Sequence, residues 1–483
     1  MAFPSLQIGD LVVRKPIVQG GMGVGISLHR LASAVANEGG VGVIAAAMIG
    51  MKEPDVAVNP HEANIRALRN EIRKARSLTD GVLGVNIMCV LTDFSQLVKT
   101  SIEEGIDVIF AGAGLPMDLP KYLQETRESL QKECNTKLVP IVSSARAATL
   151  ICKKWLQRYG VLPDAFVVEG PKAGGHLGFK PEDIFDPAHS LENAVPETVA
   201  ALKEFEEKKG CRIPVIAAGG VFTGGDIKKV MDLGAAGVQM GTRFVATHEC
   251  DADIRFKESY VNASEEDITI IKSPVGLPGR AIKGKFLDAL ADGKKNFRCI
   301  FQCISTCDPQ KSPYCIASAL LNAMKGNLDR GFAFSGANAY RVTSIISVHE
   351  LMTGLQKEFE TTAETAKAGF ESMVEATRAG IDHAMAATRV TLDQAVESTM
   401  AGLEKTMEAT RAGFNQTMEA TKASFNHTVE ATKASLDQAV GATRAGIDQA
   451  VVNTRASLDQ AVETTRIGLE KTFRAPKPLT QED

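Results

Sequence analysis

Eight short apolar runs alternate with longer helical segments in the first half of the chain. Runs of this kind, with almost no polar residue, are typical of parallel strands that are buried on both faces. Eight strand–helix units over about 245 residues favour an α/β fold, the (β/α)₈ or TIM barrel, and a doubly wound open sheet is the competing architecture. The predicted strands cover residues 16–19, 41–45, 82–87, 108–110, 138–142, 165–169, 214–217 and 237–240.

Glycine-rich clusters follow five of these runs. The strands of a barrel all end at one face, which is where barrel active sites lie. A single cluster is explained by a tight turn, but five clusters at strand ends predict a shared site. The clusters cover residues 20–23, 112–114, 174–176, 219–220 and 241–242.

Two of the intervening segments, residues 60–77 and 198–209, have the apolar periodicity of amphipathic helices. Asn59 is the expected N-cap of the first, because Pro60 suits the first helical position, where no backbone N–H is needed. A third helix is predicted over residues 226–233, between the last two glycine clusters.

These last two clusters also predict a phosphate site. Glycine lets backbone N–H groups approach an anion closely, and in many barrels the loops after strands seven and eight bind phosphate. We therefore expect four residues to hold a phosphate group: Gly219, Gly220, Gly241 and Thr242.

Composition and charge indicate which kinds of partner and which cell compartment to expect. Lys and Arg number 54 against 58 Asp and Glu, and the net charge of −4 gives no reason to expect nucleic acid as a partner. No apolar run reaches the ~18–20 residues of a membrane-spanning helix. The nine cysteines, an odd number, and a beginning without the pattern of an export signal predict a cytoplasmic protein.

Five segments together resemble the nitronate monooxygenase family, formerly called 2-nitropropane dioxygenases. The flavin-dependent enoyl-acyl carrier protein reductases share the barrel and most of these motifs. The resemblance implies an FMN-binding barrel domain over residues 1–345. The segments are PIVQGGMGVGIS (16–27), GVNIM (84–88), VVEGPKAGGHLGF (167–179), IPVIAAGG (213–220) and GVQMGTRF (237–244).

The resemblance also implies a cofactor site. Gly20, Gly21 and Met22 would pass beside the flavin ring, and Asn86 would hydrogen-bond the flavin. The remaining residues expected at the cofactor, mostly around the ribityl phosphate, are Gly175, Gly219, Gly220, Gln239, Met240, Gly241 and Thr242.

His176 would be the catalytic residue of such a protein. A histidine that titrates near neutral pH can give or take the proton that accompanies electron transfer. The family commonly has Glu before the Ala-Gly-Gly-His motif, where this chain has Lys172. That difference indicates either an anionic substrate or only an altered surface contact.

The implied reaction on the small-molecule substrate is FMN-dependent oxidation of alkyl nitronates by oxygen, which yields a carbonyl compound and nitrite. One alternative is an enoyl-thioester or quinone reductase that uses NAD(P)H. Another is a flavin-binding scaffold whose function lies in the C-terminal part of the chain, in assembly or in attachment to a lipid surface.

Residues 248–330 are predicted to form a lid and a small helical, Cys-rich insertion. Within it, residues 273–281 (SPVGLPGRA) are expected to form a loop over the barrel mouth, with Arg280 either contacting an anion or solvated. Four thiolates could hold zinc or an iron–sulfur cluster, but the spacing matches no C-x₂-C pattern and favours inert thiols. These cysteines are Cys299, Cys303, Cys307 and Cys315.

Residues 365–474 repeat every 11 residues, ten times, after a predicted connector over 346–364 and before a tail over 475–483. The sixth and tenth positions of each unit are always large and apolar, as in Ile381 and Met385. Eleven residues make about three helical turns, so both positions fall on one stripe of a long amphipathic helix.

This stripe must be covered by something, because a lone helix has no core. It could pair with a second copy in a coiled coil, which would make the protein a homo-oligomer. It could also lie peripherally on a membrane or lipid body, since it resembles the repeats of synucleins and lipid-droplet coat proteins. A third outcome is a partly disordered tail that folds on binding.

Overall fold

The computed structural model describes residues 3–291, 293, 297–415, 428–450, 453 and 455. The strands are β1 (Leu6–Ile8), β2 (Leu11–Val13), β3 (Ile17–Gln19), β4 (Gly42–Ala45), β5 (Leu83–Met88), β6 (Val108–Gly112), β7 (Lys137–Val142), β8 (Phe166–Glu169), β9 (Gly175–His176), β10 (Val215–Ala218), β11 (Gly237–Met240), β12 (Ile268–Lys272) and β13 (Pro278–Ile282). The helices are α1 (His29–Asn37), α2 (Pro60–Leu78), α3 (Phe94–Glu103), α4 (Leu119–Leu130), α5 (Ala145–Tyr159), α6 (Leu191–Lys209), α7 (Gly224–Asp232), α8 (Thr242–Val245), α9 (Ile254–Val261), α10 (Lys285–Ala291), α11 (Ile316–Met324) and α12 (Val348–Asn415).

Eight parallel strands form a closed barrel. Their order in the sheet is β3-β11-β10-β8-β7-β6-β5-β4, and a parallel bridge between Val18 and Val41 joins the two ends. The backbone N–H of Gln19 donates to Val41 O at 2.9 Å across this closure. The prediction of a TIM barrel is therefore confirmed, and the eight predicted strands are its eight strands.

Two apolar layers hold the barrel together. Side chains that point toward the barrel axis fill its interior, and Val167 of β8 and Phe110 of β6 are fully buried there. The side chains in between point outward and pack beneath the helices, as Val85 and Ile87 of β5 do. The alternation follows from the strand period of two, so every second residue at the upper end of a strand faces the axis.

The helices begin close to the predicted positions, with one exception. The Asn59 side chain accepts a hydrogen bond from the backbone N–H of Glu62 at 3.4 Å, and Pro60 opens α2. Helix α7 begins at Gly224, where Thr223 and Asp226 form a capping box. Helix α6 begins at Leu191 and continues through Pro196, so the predicted beginning at residue 198 is wrong.

The segment expected to be a loop over the mouth is part of a small antiparallel sheet. Strand β13 pairs on one side with β12 and on the other with β9, which carries His176. The register sets Gly279 opposite His176 and Arg280 opposite Gly175. His176 is therefore held by a three-stranded sheet, where the sequence predicted a loop.

The chain divides into two compact units, residues 1–364 and 365–483. Residues 348–363, most of the predicted connector, are the first turns of α12 and belong to the first unit. Their apolar side chains Leu351, Met352, Leu355 and Phe359 are buried.

The second unit contains the repeats. Its described part is helical over residues 365–415 and 428–450, and the other repeat positions, apart from 453 and 455, and the predicted tail lie outside the described residues. Within the part of the chain that the structure describes, no helix has the length and apolar character needed to span a membrane.

Candidate active site

Three polar side chains face the barrel axis at the carboxyl ends of the strands. Glu169 lies two residues after the inward-pointing Val167, whereas Asn86 and Gln239 alternate with outward-pointing neighbours. All three are half-buried and have no hydrogen-bond or ion-pair partner among the described residues. Polar groups left open toward a cavity are the arrangement that a bound ligand would complete.

The predicted phosphate residues come together at one side of this mouth. Gly219 and Gly220 have positive φ angles of 93° and 91°, which glycine adopts without strain. An added Cβ on Gly219 would lie 2.8 Å from Gly170 O, so the tight turn and its packing both require glycine. Gly241 and Thr242 directly follow the neighbouring strand, β11. We call Gly219, Gly220, Gly241 and Thr242 the cradle.

The cradle presents open backbone donors. Within the described chain, the N–H groups of Gly220, Gly241 and Thr242 donate to no protein acceptor. Helix α7 does not contribute, because the N–H of Gly224 donates to the Glu358 carboxylate at 2.6 Å. These donors fit a phosphate group, which accepts several hydrogen bonds at once.

A distant loop that sequence reasoning did not single out closes the cradle. The N–H of Gly336 donates to Thr242 Oγ1 at 3.0 Å, and Asn338 Nδ2 donates to Gly220 O at 2.7 Å. Lys172 is exposed beside Gly220, where an added Cβ would lie 2.9 Å from the Lys172 Cβ. A cation therefore borders the cradle without an ion pair within the described residues.

The first glycine cluster lies next to the cradle, because it follows β3, the neighbour of β11 in the sheet. The N–H of Gly20 donates to Met240 O at 2.9 Å, so this loop continues from β3 beside β11. An added Cβ on Gly21 would lie 2.2 Å from the Asn86 Cβ, which explains why glycine is needed there. Met22 packs beside Gly241, 3.5 Å from where a Cβ would stand. The structure thus gathers the predicted cofactor residues at the carboxyl ends of the barrel strands.

His176 is fixed by two contacts. Its Nε2 lies 2.7 Å from Ser273 Oγ, and its ring meets the Phe334 ring edge-on with centroids 4.9 Å apart. Ser273 Oγ accepts from the N–H of Val275 at 3.3 Å, which leaves its hydroxyl proton for His176. His176 Nδ1 has no partner among the described residues, so this nitrogen remains available to a substrate.

Burial changes the titration expected for this histidine. It lowers the pKa of His176 to about 4, because the apolar surroundings disfavour the charged imidazolium. The expectation that His176 titrates near neutral pH is therefore wrong. At pH 6–8 the ring is neutral and offers one donor and one acceptor.

Arg280 is not solvated. Its side chain is buried, and Nη1 donates to Pro171 O at 2.7 Å and to Ala173 O at 2.6 Å. Burial lowers the pKa of Arg280 to about 10. This guanidinium therefore fixes the turn that leads into Gly174–His176. The prediction of a solvated side chain is wrong, and the anion contact stays a prediction.

The four clustered cysteines are free and half-buried. Burial, with neighbouring Cys315 and Cys299, raises the pKa of Cys303 to about 12, so this thiol is protonated at neutral pH. Among the residues that the structure describes, no three His, Cys, Asp or Glu side chains are arranged to hold a metal ion. Within the described residues, the structure therefore does not bring Cys299, Cys303, Cys307 and Cys315 together as metal ligands.

Comparison with known proteins identifies the family. The sequence model of the nitronate monooxygenase family matches residues 5–358. The chain belongs to the nitronate monooxygenase family. A probable nitronate monooxygenase of Bacillus subtilis is 27% identical over 382 residues, which covers 71% of this chain and 96% of that relative.

A second kind of relative acts on a different substrate. The (3aS,4S,5R,7aS)-5-hydroxy-7a-methyl-1-oxo-octahydro-1H-indene-4-carboxyl-CoA dehydrogenase of Mycobacterium tuberculosis is 29% identical over 283 residues. The match covers 59% of this chain and 67% of that relative.

The solved structure of FabK from Thermotoga maritima is 30% identical, with a TM-score of 0.56, and the match covers 73% of this chain and 95% of that one. These relationships make the chain a flavin-dependent oxidoreductase.

Proposed function

We propose that this protein is an FMN-dependent oxidoreductase that oxidises alkyl nitronates with oxygen to a carbonyl compound and nitrite. The observation that carries the proposal is that the open backbone donors of the cradle and His176, whose Nδ1 has no partner among the described residues, all follow the carboxyl ends of barrel strands. Membership of the nitronate monooxygenase family supports the substrate class.

The residues present fit FMN. The cradle would hold its phosphate, Lys172 would add a positive charge beside that phosphate, and Asn86 and Gln239 would offer amide groups to the polar parts of the flavin. Bound FMN would supply the electron carrier that side chains lack.

His176 would act as a neutral hydrogen-bonding group toward an anionic nitronate. In the tautomer in which Nε2 accepts from the Ser273 hydroxyl, Nδ1 carries the ring proton and would donate it in a hydrogen bond to a nitronate oxygen. A neutral donor stabilises the anion without the cost of burying a second charge. The β9–β13 pairing and Arg280 hold the ring in place.

The first test is anaerobic reduction of the purified flavoprotein. Bleaching of the flavin by propyl-2-nitronate, without any nicotinamide, is the expected result. Bleaching by NADH or NADPH alone would contradict the proposal and would favour a reductase.

The cradle has its own test. A Cβ on Gly241 would meet only the Met22 side chain, at 3.5 Å, so Gly241→Ala should fold and keep most of its affinity for FMN. Gly241→Leu should lose FMN, because its larger side chain would fill the space in front of the open N–H groups. Equal flavin content in the two purified variants would remove the cradle from the FMN site.

A second candidate substrate is an acyl thioester of coenzyme A. It is favoured by the M. tuberculosis relative, whose name is that of a carboxyl-CoA dehydrogenase, and by exposed Lys172 at the mouth, which suits a phosphate-bearing substrate. Reduction of the flavin by a saturated acyl-CoA, but not by nitronate, would select this candidate.

A further inference from the structure

Glu169 has a half-buried carboxyl that the proposed chemistry does not yet use. It is the last residue of β8 and faces the barrel axis, on the same side as Val167. Its register partner on β10 is Ala218, which offers no polar side chain. No described residue hydrogen-bonds or ion-pairs with this carboxyl, and burial raises the pKa of Glu169 to about 7.

The groups around Glu169 leave it without a compensating charge. The inward-facing residues at the same level, Asn86 and Gln239, are uncharged amides. On the loop that follows β8, Lys172 is exposed, and Arg280 donates to the carbonyls of Pro171 and Ala173 instead. His176 is neutral above pH 4–5, because burial lowers its pKa to about 4.

We propose that Glu169 is the proton-carrying residue of the flavin site, taking up one proton from water when the bound flavin gains negative charge. The balance is one carboxylate and one solvent proton giving one carboxylic acid, while the electrons come from the substrate or from an added reductant. This inference rests on the proposed flavin function.

The neutral histidine makes such a residue necessary. A group exchanges protons efficiently when its pKa lies near the working pH, and His176 is far from that condition. A carboxyl near neutrality meets it, and negative charge placed in the same cavity raises its proton affinity further. In this proposal Glu169 exchanges the proton, and His176 hydrogen-bonds the substrate.

The test is the pH dependence of flavin reduction in the FMN-loaded protein. The midpoint potential is measured from pH 5.5 to 8.5 for the natural protein, for Glu169→Gln and for Glu182→Gln, an exposed carboxylate that serves as the control. Near and above pH 7, Glu169→Gln should bind fewer protons per two electrons than the natural protein and Glu182→Gln do. The expected difference is at most one proton. The oxidised flavin spectrum should also titrate near pH 7, and this titration should disappear in Glu169→Gln.

The outcomes separate the two proposals. Identical pH dependence in Glu169→Gln and the natural protein overturns the role of Glu169 but leaves the proposed function intact. A protein that binds no flavin overturns both. A midpoint potential that depends on Glu169, together with no flavin reduction by nitronate or acyl-CoA, overturns only the proposed substrates.

Unfolding of the flavin-free protein checks the charge of Glu169 separately. The stability of the natural protein should fall relative to Glu169→Gln as pH rises from about 4.5 through 7, because the folded state holds the proton more tightly than the unfolded state.

A separate observation concerns the repeat helix. Its sixth and tenth positions form one apolar stripe, and tenth-position Val396 and Met407 are 38% and 40% exposed. The second-position threonines border it, and Thr377 and Thr388 donate their hydroxyls to carbonyls four residues earlier, each at 2.8 Å. Their hydroxyls are thereby satisfied, so the methyl groups widen the apolar face.

The charges favour an identical helix as the occupant of this stripe. Residues 365–474 contain 12 Lys and Arg against 14 Asp and Glu, so an anionic membrane would gain little by attraction. Basic third positions and acidic seventh positions lie on the same flank, and Lys367 pairs with Glu371 at 3.7 Å within one helix. Two antiparallel copies with the same period keep their stripes in contact and place their charged flanks side by side, so that basic and acidic rows meet.

We also infer that the repeat helix pairs with the repeat helix of a second copy of this chain. Light scattering on the full chain should give the mass of an oligomer, and Leu392→Glu with Leu403→Glu should reduce it to the monomer. The control, Ala379→Glu with Ala401→Glu, adds the same charge on the opposite side of the helix and should remain oligomeric. Retained flavin shows that the barrel is folded in both.

Three results would overturn the pairing. They are a monomeric natural protein, an oligomer unaffected by the Leu392 and Leu403 changes, and flotation of the natural protein as a monomer with phosphatidylcholine–phosphatidylserine vesicles.

Discussion

Glycines of the barrel and glycines of the repeat helix stand in opposite environments. A Cβ on Gly42 of β4 would lie 1.7 Å from Ala32 O of α1, and one on Gly21 would lie 2.2 Å from the Asn86 Cβ. Around Gly380 and Gly402 of the repeats, an added Cβ would meet nothing within 4 Å. Close packing therefore dictates residue identity in the barrel, whereas in the repeats the surface pattern dictates it.

The largest expected effect tests where the first region ends. Truncation after Ser347 should abolish folding, because it removes Leu351, Met352, Leu355 and Phe359, each worth about 2–5 kcal/mol as a buried side chain. Truncation after Glu364 should leave kcat within about twofold. Soluble expression and thermal unfolding of the two shortened chains check this. A stable, active protein ending at Ser347 would show that α12 is not part of the barrel's core.

The next effect compares two histidines. His176→Ala should lower turnover by about 10²–10⁴-fold with flavin still bound, because the substrate loses its hydrogen-bond partner in the cavity. His383→Ala, on the exposed repeat helix, should match the natural protein. Steady-state kinetics and flavin content are the measurements. An unaffected rate in His176→Ala would remove this residue from the mechanism.

A third effect compares the packing directly. Gly42→Ala should lower the free energy of unfolding by about 3 kcal/mol, because α1 would have to move away from β4. Guanidinium chloride unfolding followed by flavin fluorescence measures it. A loss below about 1 kcal/mol would mean that this part of the barrel yields more easily than its packing suggests.

The smallest effect has the opposite sign. Gly402→Ala should stabilise the repeat helix by about 1 kcal/mol, because alanine loses less backbone entropy than glycine in a helix and the site is open. Circular dichroism of the thermal transition should detect it, with barrel unfolding unchanged. Destabilisation would instead indicate that a partner needs the space beside Gly402.

The barrel was predictable from sequence because its signal is local. A parallel strand buried on both faces must be an uninterrupted apolar run, and the run over 237–240 coincides with β11. The glycine clusters located the mouth for a similar reason, since Gly219 and Gly220 must adopt positive φ angles. Local chemistry also placed the beginning of α2 at Asn59 and Pro60.

The parts that sequence reasoning missed depend on distant partners. Strand β13 contains Pro and Gly, and besides the nearby β12 it pairs with β9, which lies about 100 residues earlier and sets the position of His176. Pro196 looks like a helix terminator, yet α6 continues through it from Leu191. Glu169 is the last residue of the predicted strand over 165–169, and nothing in the sequence pattern singles it out. Only the closed barrel turns it toward the axis.

The closing loop of the cradle sets an order on biosynthesis. Gly336 and Asn338 contact Thr242 and Gly220, and the barrel's last strand ends almost 100 residues before them. A ribosome that has made every barrel strand has therefore not yet made a complete cradle. If the cradle holds the flavin phosphate as proposed, the finished phosphate site forms only after Asn338 has emerged, while the repeats after residue 365 are being translated.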